Sequence, residues 1–96
     1  MNIFVDIDDT ICTGNPQHDY FLAEPIQANI DKINKLFKEG NTITYWTARG
    51  ASTGMDWEDF TLGQLASWGC RFHKLLCSKP SFDMLIDDKA ININQL

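Results

Sequence analysis

The sequence predicts one α/β domain over residues 1–96, a three-layer α/β/α arrangement with a mainly parallel sheet. Three observations predict it. Short apolar runs alternate with longer segments of helical period. The first and last of these runs end in carboxylates, which gather where a strand leaves the core because charges along its length would be desolvated. Finally, 96 residues without a linker or repeat leave room for one modest core and no separate substrate domain. Function must then sit on the core fold, at the carboxyl edge of the sheet, where open α/β sheets bind ligands.

Met1-Asn2-Ile3-Phe4-Val5 reads as a buried first strand that delivers Asp6-Ile7-Asp8-Asp9-Thr10 to that edge. Asp6 and Asp8 lie two apart, so either an extended or a turning backbone lets both face one ligand. From Thr10 to Glu24 the turn signal Gly14-Asn15-Pro16 predicts a short hairpin or flap over the carboxylates. Pro25 suits the first position of a helix. Ile26, Ile30, Ile33 and Phe37 then recur at helical spacing, with Gly40 just past the end and Asp31, Lys32, Lys35 and Lys38 on a solvated face. Thr42-Ile43-Thr44-Tyr45-Trp46, β-branched and aromatic, predicts the second strand.

That strand closes at Thr47-Ala48-Arg49-Gly50, and the loop through Ala51-Ser52-Thr53-Gly54 offers backbone and hydroxyl donors to an anion. A second helix is expected from about Met55 to Trp68, with Trp57, Phe60, Gln64 or Leu65, and Trp68 along one side and Gly69 at its end. The aromatic stripe reads as core rather than as a cofactor box, and Gly63 weakens the helix. Phe72 to Cys77 predicts a third strand, Ser78 to Asp83 a loop, and Met84-Leu85-Ile86 a fourth strand running into Asp87-Asp88. If the fourth strand returns beside the first, the chain order reverses there and Asp6 and Asp87 become neighbours.

Composition narrows the function classes. At 44% hydrophobic and 22% charged, the chain is neither disordered nor a low-complexity tail. Five acids, Asp6, Asp8, Asp9, Asp87 and Asp88, account for the net charge of −5, since the remaining eight acids match the eight bases. The lack of a Lys/Arg stripe disfavours nucleic acid as a partner, though a contact to a nucleic-acid end stays open. No targeting signal or membrane span is visible, so a soluble cytoplasmic protein without membrane partners is expected. Cys12, Cys70 and Cys77 are odd in number and lack metal or redox spacing, which suits a reducing compartment. His18 and His73 have no partner at ligand spacing and read as capping or solvent-facing residues.

Five carboxylates at one edge repel one another unless a cation is bound, and all-oxygen ligands indicate Mg²⁺, or Mn²⁺ in its place. Arg49 and Lys79 add positive charge to the same rim, which together describes a site for a phosphoryl group. The run Asp6-Ile7-Asp8-Asp9-Thr10, Thr47 closing a second strand, Lys79 and Asp87-Asp88 resembles the four motifs of haloacid-dehalogenase-like (HAD) phosphatases over nearly the whole chain. The stretch Lys79-Pro80 to Asp87-Asp88, with Thr47-Ala48-Arg49-Gly50, is similar to small members associated with capsule and surface-polysaccharide genes.

The resemblance implies a Rossmann-like core and an aspartyl-phosphate mechanism. Asp6 would be the nucleophile and Asp8 the acid and base, with Thr47 and Lys79 holding the phosphoryl oxygens. Asp6, the carbonyl of Asp8, Asp87 and Asp88 would hold Mg²⁺, and Thr10, Ala48 and Arg49 would contact substrate. Lys74 and Lys89 are the alternative lysines. The intervals after Thr10 and between Thr47 and Lys79 are too short for a cap domain, so the site would be open, completed by the flap, the 49–54 loop, a homo-oligomeric neighbour or a large substrate. The expected activity is Mg²⁺-dependent hydrolysis of a small phosphorylated metabolite such as a sugar phosphate. The alternatives are a phosphatase of nucleic-acid ends or phosphoproteins and a catalytically idle Mg²⁺- and phosphate-binding module.

Overall fold

A computed structural model describes residues 1–15, 17 and 19–96. The first two apolar runs form β1 (Asn2–Val5) and β2 (Thr42–Trp46), paired in parallel with Asn2 opposite Thr42 and Val5 opposite Tyr45. β3 (Lys74–Leu76) adds in parallel to the other side of β2, with Trp46 opposite Leu76, giving the order β1-β2-β3.

Helix α1 (Gln27–Lys38) ends where the sequence places its glycine. Gly40 takes φ +98° and donates to the Phe37 carbonyl while Asn41 donates to that of Leu36, which satisfies the last turn. Helix α2 (Glu58–Ser67) begins later than its apolar pattern suggests, after a turn in which the Asp56 carboxylate accepts the Glu58 N–H at 2.9 Å. Gly69, at φ +73°, closes it.

Period-two alternation sorts the strand side chains. Val5, Ile43 and Tyr45 are buried, with Ile3 and Leu75 packed against them, and α1 adds Ile30 and Ile33 and α2 adds Leu65. Each such burial contributes about 1.5–3 kcal/mol. Both crossovers run in the same direction across the sheet, and right-handed connections then put both helices on one face. Asn34 of α1 ties them together, donating to the Gly69 carbonyl and accepting from the Arg71 N–H, each at 2.9 Å. On the opposite face Phe4, 57% exposed, meets Trp46 edge to face beside Lys74 and Leu76. Two of the three expected layers are formed.

The fourth strand is not. Met84-Leu85-Ile86 has no sheet partner, and Met84 and Ile86 are 75% and 90% exposed. A parallel strand needs a crossover of about a dozen residues or more, whereas only seven separate Leu76 from Met84. The far edge of β1 stays open, and Asp87 does not become the neighbour of Asp6 through sheet pairing. No helix among the described residues is long and apolar enough to cross a membrane.

Candidate functional site

The chain turns sharply after β1. Thr10 and Ile11 both donate to the Ile7 carbonyl, at 3.1 and 2.9 Å, and Asp9 adopts φ +65°. Ile7 and Ile11 are fully buried anchors, so the carboxylates between them stay at the edge of the sheet. The expected flap is present. Its neck is closed by Thr13 donating to the Glu24 carbonyl and Ile26 to that of Ile11, both at 2.8 Å, and Asp9 Oδ1 accepts the Gly14 N–H at 3.0 Å. Pro16 and His18 lie outside the described residues. The flap, the strand ends and the 50–57 loop surround a cavity of about 460 Å³. Asp6, Asp8, Thr47 and Ala48 border it, and Ser52 and Thr53 line it from the loop that the sequence marks as an anion rest.

Asp6 is held at both oxygens, by Lys79 Nζ at 3.0 Å on Oδ1 and Thr10 Oγ1 at 3.1 Å on Oδ2, with the carboxyl side chain 37% exposed. Each carboxylate oxygen has a second lone pair, so the group keeps acceptor capacity toward the cavity. Lys79 follows β3 directly. Its backbone N–H donates to the Thr47 carbonyl, and its ammonium lies 5.4 Å from the rings of both Trp46 and Phe82. Lys74 and Lys89 are exposed, on β3 and the C-terminal stretch, so Lys79 is the lysine brought to Asp6. Thr10 therefore orients Asp6; the expected substrate contact is corrected to this one, and Thr10 does not border the cavity.

Asp8 is gripped by Arg49 through two bonds, Nε to Oδ2 at 3.0 Å and Nη2 to Oδ1 at 2.9 Å. The Arg49 side chain is fully buried. Nη1 donates to Thr61 Oγ1 at 3.2 Å and Gln64 Oε1 at 2.6 Å, Nη2 also approaches Cys12 Sγ at 4.0 Å, and the guanidinium lies 4.6 Å from the Tyr20 ring centre. A guanidinium has five N–H donors, and all are engaged within the protein. Arg49 borders the cavity as the sequence expects, but its side chain is committed within the protein, a buried cation compensated by a carboxylate and two neutral acceptors. Its backbone is set by Thr47, whose Oγ1 accepts the Arg49 N–H at 3.1 Å, and by Gly50, whose φ of +86° and contact with the Met55 carbonyl leave no space for a Cβ. Thr47 is buried at the cavity floor with its hydroxyl proton left to donate.

Burial, and after it the Asp8 carboxylate, push the Cys12 thiol up to about 12, so it stays protonated and donates toward Asp8 and the Ile7 carbonyl. Burial and the same carboxylate raise the Tyr20 phenol. His73 Nδ1 accepts the Ile43 N–H at 3.1 Å and its ring stacks on Phe37, a capping role in agreement with the sequence.

Asp87 and Asp88 are the expected site residues that the fold does not bring in. They lie on the exposed C-terminal stretch and do not border the cavity. The Lys89 N–H bonded to Asp87 holds that carboxyl below its ordinary range, within a local turn. Among the described residues no three His, Cys, Asp or Glu side chains are grouped to hold a metal. Sequence reasoning missed Cys12, Tyr20, Thr61 and Gln64, which enclose Arg49. The nearest signal was the aromatic pattern at Trp57 and Phe60, which packs on Tyr20 and Phe21 of the flap.

No family profile and no curated protein matches this chain. Among solved structures, the crystal structure of an MCSG target from Vibrio cholerae superposes with a TM-score of 0.85, at 21% identity, over 99% of this chain and 86% of its own. The likeness is one of fold: this chain is an α/β domain built on a parallel sheet.

Proposed function

We propose that this chain is a phosphomonoester hydrolase of the HAD type, with a Rossmann-like core, acting through an aspartyl-phosphate on Asp6. Its substrate is a small phosphorylated metabolite such as a sugar phosphate. The observation that carries the reading is the meeting of Asp6, Asp8, Thr47 and Lys79 from three adjacent parallel strand ends, with Lys79 Nζ 3.0 Å from Asp6. A cation against the nucleophile offsets the repulsion between a carboxylate and a phosphate dianion.

In the first step Asp8 enters as the carboxylic acid; the Asp6 carboxylate bonds to phosphorus, the bond to the leaving oxygen breaks, and that oxygen takes the Asp8 proton. In the second, water gives a proton to Asp8 and attacks phosphorus, releasing phosphate and restoring Asp6. Thr47 and Lys79 hold the phosphoryl oxygens in both. Mg²⁺ enters the proposal as a dependence to be measured. In the arrangement described, Asp6 and Asp8 carry an ammonium and a guanidinium, and Asp87-Asp88 stand apart, so no step is routed through the ion. Three free cysteines agree with a reducing, cytoplasmic setting.

The test is release of phosphate from an aryl phosphate and a panel of sugar phosphates, with and without Mg²⁺, beside 3′-phosphorylated oligonucleotides. Asp6→Asn is expected to lower kcat by at least about 10³-fold. Full turnover by that variant, or none by the wild type on any monoester, would overturn the reading.

A further inference from the structure

Arg49 reaches into three parts of the molecule. Its guanidinium holds both oxygens of Asp8, lies against the Tyr20 ring of the flap, and donates to Gln64 of α2 at 2.6 Å. Gln64 in turn donates from Nε2 to the Tyr20 carbonyl at 2.7 Å, so one side-chain amide joins the flap backbone to the residue that aims Asp8. The connection is continuous, flap carbonyl to amide to guanidinium to carboxylate, and no link in it is longer than 3.0 Å. Gln64 does not border the cavity, whereas Tyr20 and Asp8 do.

We infer that Arg49 is the positioning residue for Asp8, and that Gln64 makes this positioning depend on the seating of the flap. A planar fork fixes a carboxylate in both distance and orientation, which a point charge does not. The flap forms one wall of the cavity, so a ligand that seats it steadies Asp8, and a flap that lifts releases Gln64 and loosens the grip. The effect on turnover rests on the phosphatase reading; the coupling between flap and Asp8 does not.

Two measurements separate them. In kinetics on an aryl phosphate, Gln64→Leu is expected to lower kcat about 10- to 100-fold with KM unchanged, the loss that a small misplacement of a reacting group causes. Arg49→Lys, which keeps the charge and loses the fork, is expected to fall in the same range. In hydrogen exchange, Gln64→Leu and Asp8→Asn are each expected to speed exchange of the Leu22 and Ala23 amides about 10-fold through local opening. Asp6→Asn, an equal charge change outside the connection, leaves them at the wild-type rate. Wild-type kcat in Gln64→Leu, or equal flap exchange in Asp8→Asn and Asp6→Asn, overturns the inference. If the wild type turns over no monoester, the phosphatase reading fails and the exchange comparison alone decides the coupling.

Discussion

Ile43 of β2 and Ile86 of the C-terminal stretch both belong to runs that the sequence reads as strands, yet one is fully buried and the other 90% exposed. The difference is connection length rather than composition. Between β1 and β2, and again between β2 and β3, the chain has room for a helix that carries it back across the sheet. Between Leu76 and Met84 it does not. The same contrast separates the acids: Asp6 and Asp8 are held by partners from the segments that follow β1, β2 and β3, whereas Asp87 is bonded by the backbone of its own turn. Pattern makes a strand available, and topology decides whether it is used.

The most severe way to break this comparison is to truncate its two isoleucines. Ile43→Ala removes a fully buried side chain and is expected to cost about 3 kcal/mol. Ile86→Ala is expected to change stability by less than about 0.5 kcal/mol. Denaturant midpoints at constant slope measure both. A comparable loss at Ile86 would mean that the C-terminal stretch packs onto the sheet in solution.

A smaller effect comes from pH. The Cys12 thiol has an ordinary value of 9.0 and is pushed up to about 12 in the folded protein. Folding therefore holds the proton that the unfolded chain loses above pH 9, and stability falls as pH rises from there toward 12. By pH 10 the loss is about 1–2 kcal/mol, and Cys12→Ala should flatten that limb of the stability profile. The exposed Asp87 has its carboxyl lowered, so its local turn is complete above its ordinary value and is lost as pH falls through the lowered one. Acid should then loosen the stretch around Lys89 without moving the global midpoint; a global shift removed by Asp87→Asn would erase the distinction between the two regions.

The legible parts of the fold were those with a local cause. The Thr42–Trp46 strand, the α1 period closed by Gly40, and the placement of Asp6, Asp8 and Thr47 at strand ends each follow from residues adjacent in sequence. The burial of Arg49 does not. Its acceptors come from Asp8, Thr61 and Gln64, and no local pattern tells an arginine enclosed by distant partners from one on a rim. Thr10 was misassigned for a related reason, since a hydroxyl four residues from a carboxylate serves it only once the turn at Asp9 is formed. The fourth strand failed on geometry, because Met84-Leu85-Ile86 is apolar enough for a strand and lacks the chain to return beside β1, while the third layer is missing because both helices lie on one face.

The smallest expected effect tests whether burial in the sheet is everywhere favourable. Tyr45 is fully buried at the centre of β2, and among the described residues its hydroxyl has no hydrogen-bond partner; burial raises its pKa, and the polar group beside it is the Cys70 thiol, itself pushed up to about 11. A buried donor without an acceptor loses its water without recompense, whereas the ring beneath it gains from packing edge to face on Phe72 at 5.6 Å. Tyr45→Phe keeps the ring and removes the cost, and is expected to stabilise the protein by about 1 kcal/mol. A destabilised Tyr45→Phe variant would mean that the thiol accepts the hydroxyl's bond, making this buried position a satisfied one; Cys70→Ala would then reproduce the same loss.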